Sequence, residues 1–292
     1  MHLAVVGTET ESRPLIDATE RLTGIECVCV PHGSSVEGVD AVACCGSHEN
    51  SVQAICDFAR SGMHLLVNLA ALRTTTDAET MVAECGEADV QLMIVPPRRL
   101  LRSVQAVRQS LDANELGEPG LLRIHNWVTE QDEEIDQLLL HELDLAIYLY
   151  DGPPTTVYSV AHDSGNSRHF VQVHLGFEGG GMALIDVTTG LPEGDNYYSL
   201  SLIGANGSAY ADDHHNAQLL YCGGPAMAER TREHALDWTE PLRQFAAAID
   251  RSRKPAIGAD SALAVLSVMS AARRCVETGS AMRRQGGDYE RV

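Results

Sequence analysis

The run Gln137 to Gly152, QLLLHELDLAIYLYDG, is strongly apolar yet carries Gln137, His141, Asp144 and Tyr148 at intervals of three and four residues. On a helix that spacing places all four side chains on one face. An imidazole beside a carboxylate suits proton transfer, because histidine changes charge near neutral pH and an aspartate can orient it. Two readings are open from spacing alone. His141 and Asp144 satisfy each other and nearby backbone inside a core, as buried polar groups normally do, or the stripe faces a ligand in a wet cleft.

Other candidates lie just after apolar runs. Gly7, Thr8 and Glu9 follow HLAVV, Ser47 and His48 follow DAVACC, and Arg98 and Arg99 follow the run from Val90 to Val95. Ligands of open α/β sheets bind outside the carboxyl ends of the strands. Arg98 and Arg99 there suit a clamp on an anionic or hydroxylated ligand, or pairing with the chain's many carboxylates. His48 suits a helix cap equally well. Metal chemistry is not expected: His125, His169 and His174 are scattered along strand-like runs, and the eight cysteines lack the paired spacing of a zinc site. The cysteines read as reduced, buried, small hydrophobes.

These groups need elements to position them. Short apolar runs at His2 to Gly7, Ile25 to Val30, Asp40 to Cys45, His64 to Asn68 and Val90 to Val95 alternate with helical patterns. That alternation predicts a doubly wound parallel sheet with helices on both faces. The texture changes at Gly117 to Gly120 (GEPG), a turn-rich hinge. Beyond it come the alternating run Leu121 to Val128, the His141 helix, and six strand-like runs between Thr155 and Tyr221, largely joined by glycine-rich turns. Those runs predict an antiparallel sheet. Helices over Glu240 to Asp250 and Ala259 to Glu277 close the pattern.

Composition bounds function. A chain of 292 residues with 44% hydrophobic content accommodates two folded domains. Its net charge is −20, with Lys254 its one lysine against twenty arginines. Phosphate backbones would be repelled, so neither nucleic acid nor an acidic membrane is an expected partner. No apolar run approaches the ~20 residues that span a bilayer. The first strand begins without a basic leader, which makes the cytoplasm the expected location.

Three stretches, Leu138 to Ser159, Leu200 to Asp213 and Pro241 to Met282, resemble the glucose–fructose oxidoreductase, inositol dehydrogenase and rhizopine-catabolism family (Gfo/Idh/MocA), as do DAV at Asp40 and GEPG at Gly117. The resemblance runs along nearly the whole chain. It implies a Rossmann-type sheet over residues 1–119, then an α+β domain with a large open, mainly antiparallel sheet over 120–292, whose terminal helices pack back on the first domain. It implies NAD or NADP at Gly7, Thr8, Glu9, Ser47 and His48, and a sugar, cyclitol or related polyol in a cleft between the domains. There His141 would act as acid/base with Asp144 behind it, and Arg98, Arg99, Gln137 and Tyr148 would line the cleft. It also implies a homo-oligomer, dimer or tetramer, formed through the second sheet. The runs at Val171 to Val173 and Leu200 to Leu202 are too apolar to be left wet on either face of that sheet.

The family's pattern is broken at four places. Of the phosphate-binding G-x-G-x-x-G, the segment Gly7-Thr8-Glu9-Thr10-Glu11-Ser12 keeps the first glycine only. A carboxylate at Glu9, ~4 Å from a phosphate, would cost about 4 kcal/mol at an effective dielectric near 20, roughly a thousandfold in affinity. After the second strand, Val30-Pro31-His32-Gly33-Ser34 offers no acidic or basic ribose selector. Asn68, Leu69 and Ala70 replace the family's Glu-Lys-Pro. Gln137 replaces an aspartate four residues before the histidine, with Asp136 about 100° away around the helix. The expectation is a divergent member, impaired in NAD(P) binding and hydride transfer, that keeps a small polar-ligand cleft. The alternatives are an active NAD(P)-dependent oxidoreductase with an atypical loop, and a non-catalytic partner subunit.

Overall fold

A computed structural model describes residues 1–45, 52–129, 134–164, 167–192, 196–212, 217–221, 227–229, 236–251 and 258–292. In chain order the elements are β1 (His2–Val6), α1 (Glu9–Thr19), β2 (Glu26–Val30), β3 (Ala41–Cys44), α2 (Val52–Arg60), β4 (His64–Asn68), α3 (Thr75–Glu87), β5 (Leu92–Val95) and α4 (Arg102–Asp112). Next come β6 (Pro119–Thr129), α5 (Ile135–Leu149), β7 (Thr156–Ser164), β8 (Ser167–Gly176), β9 (Met182–Leu191), β10 (Tyr197–Gly204), β11 (Ser208–Asp212) and β12 (Ala217–Tyr221). The remainder is β13 (Met227–Glu229), α6 (Thr239–Asp250), α7 (Ala259–Thr278), β14 (Met282–Gln285) and β15 (Asp288–Arg291).

These elements form two compact units: Met1–Leu100 with Ala235–Leu266, and Leu101–His234 with Ser267–Val292. The first holds a parallel sheet in the order β2-β1-β3-β4-β5. The order of strand addition reverses between β1 and β3, the kind of switch point where doubly wound sheets open a crevice. Leu3 and Val5 of β1 pack with Leu15 of α1, with Trp238 at the N-cap of α6 and with Leu242 and Phe245 within it. Each such side chain, fully buried, contributes about 1.5–3 kcal/mol. That packing explains why a helix so late in the chain belongs to the first unit. At the sheet's edge, β2 leaves Val28 half exposed and Cys29 exposed, so Cys29 departs from the buried-cysteine expectation.

The second unit carries a mixed sheet of ten strands in the order β13-β12-β11-β10-β6-β9-β8-β7-β14-β15. Its one parallel pair among the described residues is β6 with β9, and every other pairing is antiparallel. α5 packs on the face lined by Leu122, Ile124, Val173, Leu175 and Ile185. α4 lies in this second unit, not with residues 1–119: Arg108 donates to the Tyr148 carbonyl at 2.9 Å and sits 5.6 Å from the centre of the Tyr148 ring. Close backbone contacts set the β10–β11 turn. A Cβ on Gly204 would stand 2.1 Å from the Leu116 carbonyl oxygen, and one on Gly207 would stand 2.2 Å from that of Tyr221. Asn206 N–H donates to Leu116 and Ala205 N–H to Glu118, tying the turn to the GEPG hinge.

Val171, Val173, Leu200 and Leu202 point to the covered face and are at most 4% exposed, so they are not on the open one. The open face instead shows Tyr158, Val160, Phe170, Met182 and Ile203, each more than a third exposed. Because side chains alternate between faces along a strand, a one-residue error in phase exchanges the two sets.

Candidate functional site

α5 begins without a side-chain cap, and its first turn carries Asp136, whose charge suits a helix N-terminus. The helix ends at Tyr150, after which Asp151 takes the left-handed conformation, φ 56°, and Gly152 N–H returns to the Ile147 carbonyl at 3.1 Å. Between these ends every side chain from Gln137 to Ile147 is buried. The polar stripe is therefore inside the protein: Gln137 and His141 are 8% exposed and Asp144 1%. Gln137 Nε2 is buried without a hydrogen-bond partner. Asp136 is not free to substitute for the missing aspartate, because its Oδ2 lies 3.1 Å from Arg273 Nη2. Tyr148 is half-buried with its ring against Arg108.

Sequence reasoning missed Glu142. It is fully buried next to His141, and its Oε1 accepts a 2.9 Å hydrogen bond from Asn126 of β6. Both residues carried a signal. Asn126 continues the inward phase of Leu122 and Ile124, and Glu142 interrupts an apolar helix at a position with no wet face.

In the first unit, the segment after β1 forms a closed cap. Thr8 is the N-cap of α1, and Glu11 completes a capping box. Glu11 Oε2 accepts from Thr8 N–H at 2.9 Å and from the Thr8 hydroxyl at 2.8 Å, and His32 Nε2 stands 3.6 Å away. Burial works to raise the Glu11 pKa, but the Thr8 bonds and His32 outweigh it and hold the carboxyl below its usual value. Gly7 N–H donates to the Val30 carbonyl. Glu9, the residue expected to repel a phosphate, is exposed; the carboxylate bonded into the loop is Glu11's. Ser12, at the third glycine position, is fully buried, and its Oγ has no partner.

At the end of β4, Asn68 caps a short 3₁₀ turn, accepting from Ala70 N–H at 3.0 Å and donating to the Cys45 carbonyl at 3.1 Å. Leu69 in that turn is fully buried. Arg98 and Arg99 form a 3₁₀ turn after β5, and Arg99 donates to Ser261 Oγ at 2.7 Å. Ser47 and His48 lie outside the described residues. On the second unit's open face, His125 Nδ1 is 3.0 Å from Asp186 Oδ2 without making a hydrogen bond to it. Asp186 Oδ1 accepts instead from Gln172 at 2.5 Å. No group of three or more metal-type ligands occurs among the described residues. None of their helices is long and apolar enough to cross a membrane.

Residues 104–210 match the family described as the GFO/IDH/MocA C-terminal domain. A search of curated proteins returned no match. Solved structures share the fold across the chain. An oxidoreductase from Agrobacterium radiobacter in complex with NAD+, L-tartaric acid and magnesium has a TM-score of 0.82 at 14% identity, covering 97% of this chain and 98% of that one. The aldose–aldose oxidoreductase from Caulobacter crescentus complexed with glycerol has 0.83 at 17%, covering 97% and 99%. GenD2 from gentamicin A biosynthesis, in complex with NAD, has 0.79 at 16%, covering 98% and 97%. Identities this low speak to the fold, which the chain shares along nearly its whole length, and the family match is to its second unit: residues 104–210 are a GFO/IDH/MocA C-terminal domain.

Proposed function

We propose that the protein binds a small polar ligand of the sugar or polyol class at α5 and is impaired in NAD(P) binding and hydride transfer. Gln137 carries this reading. It stands where the resemblance expects an aspartate, so it cannot titrate, and its buried, unpaired amide donor suits a ligand hydroxyl. Leaving such a donor unpaired costs about 1–3 kcal/mol, which a bound hydroxyl would recover. His141, one turn further along, supplies a second polar contact.

The loss of cofactor chemistry is supported separately. Leu69 is buried where a lysine would reach nicotinamide, and the N–H groups of Gly7 and Thr8 are bonded internally. Relatives crystallised with glycerol or tartaric acid make a hydroxylated ligand the natural class to try. If a nicotinamide cofactor does bind, Gly7, Thr8 and Glu9 are the loop positions that would meet it, and His141 would hold or release the proton of a substrate hydroxyl.

The test is paired. Thermal unfolding of the wild type and His141→Ala with glycerol, tartrate and myo-inositol should show a ligand-dependent rise for at least one compound in the wild type alone. Assays of NAD+ and NADP+ reduction with the same compounds should stay at background. Turnover would instead favour the active oxidoreductase with an atypical loop, and a wild type unaffected by every polyol would count against the ligand cleft.

A further inference from the structure

We propose that Glu11 is a resident anion, a carboxylate from the chain itself that fills the phosphate position at the head of α1. The inference rests on the reading that dinucleotide binding is impaired, and it turns that impairment from an absence into an occlusion. Helix N-termini attract anions because their first N–H groups are unpaired and aligned with the helix dipole. Here Thr8 N–H, at the head of α1, is bound to Glu11 Oε2 at 2.9 Å, and the Thr8 hydroxyl adds a second bond at 2.8 Å. Behind the carboxylate stands His32, at the end of β2 where a ribose would be held, with Nε2 at 3.6 Å and its side chain 10% exposed.

An independent observation shows the place was shaped for more than a cap. Ser12 Oγ is fully buried, has no partner, and lies 2.8 Å from where a Cβ on Gly7 would stand. It is a hydroxyl aimed at the one loop position whose lack of a side chain leaves the backbone bare. A phosphate brought to this place meets the carboxylate's charge and finds its first donors taken.

Full-length protein titrated calorimetrically with ADP and with inorganic pyrophosphate tests this. Wild type should not saturate below about millimolar. Glu11→Ala, which removes charge and cap together, should bind ADP at least about tenfold more tightly, within the roughly thousandfold that the charge alone accounts for. Glu11→Gln keeps the capping geometry, and so remains informative if the alanine variant fails to fold; it should show a smaller gain of the same sign. Glu9→Gln, which leaves the Glu11 carboxylate bonded to Thr8 in place, should gain less than either. Folded Glu11 variants that bind no better than wild type would overturn the occlusion, as would a gain from Glu9→Gln equal to theirs. Micromolar binding of NAD(H) by the wild type is a different failure, one that removes the functional reading itself.

Discussion

Gln137 and Glu11 place the two halves of the account in single side chains, one donor left open and one acceptor already engaged. For Gln137 the consequence is a trade between stability and binding. Gln137→Leu removes a buried unpaired amide at little change in volume and should raise stability by about 1 kcal/mol, while abolishing any polyol-dependent thermal shift. A variant less stable than wild type would mean that the amide has a partner. For Glu11 the sign follows from its lowered pKa. A carboxyl more acidic in the folded state contributes stability above its unfolded pKa and loses it as pH falls through the folded value. Glu11→Gln should therefore unfold less steeply than wild type on the acid side of about pH 4, checked by denaturation midpoints across pH; parallel curves would contradict it. At this scale the sequence showed which residues could act but not how they are engaged. The spacing of Gln137, His141 and Asp144 marked the stripe. Whether Glu9 or Glu11 meets the loop depends on a capping box, which Thr8 and Glu11 spelled out three residues apart and which the family template obscured.

Elements were more legible than contacts. The strands of the parallel sheet and α5 were expected within a few residues of their observed bounds, because buried strands and long apolar helices leave strong patterns. The β14–β15 hairpin was not expected. Its strands are polar apart from Met282 and Tyr289, both 2% exposed, and the clue was Gly286-Gly287, each at positive φ in the turn between them. The glycines at 204 and 207 lie in the stretch that resembles the family, and the carbonyls of Leu116 and Tyr221 give their physical reason. Gly204→Ala should destabilise by about 2–3 kcal/mol as the β10–β11 turn is forced off the hinge. A denaturation midpoint unchanged by that substitution would show that the turn yields easily.

For the whole molecule, charge and exposed area point to self-association. The chain carries a net charge of −20, yet among the residues with described side chains on the open side of β10, β6, β9, β8 and β7 the formal charges are Arg123 and Asp186, with histidines at 125, 162 and 174. An apolar, sparsely charged face on so acidic a protein is where a second copy approaches with least repulsion. We expect a dimer or larger assembly by light scattering at micromolar concentration, converted to monomer by Phe170→Glu. A wild-type monomer would count against it. This was the least legible scale, because period-two alternation marks two faces but not which one a helix covers; α5 settles that, and Val171 and Leu200 fall on the covered side.

Direct titration of NAD(H) and NADP(H) into the purified wild type tests most simply the proposal that this oxidoreductase-type fold lacks a hold on a nicotinamide cofactor. On that proposal an internally capped α1, no ribose selector after Val30 and a buried Leu69 would each weaken the same ligand. Their combined effect should leave no saturable binding below about millimolar, because ~4 kcal/mol already spans three decades of affinity. A micromolar dissociation constant for either cofactor would contradict the account and restore an active dehydrogenase.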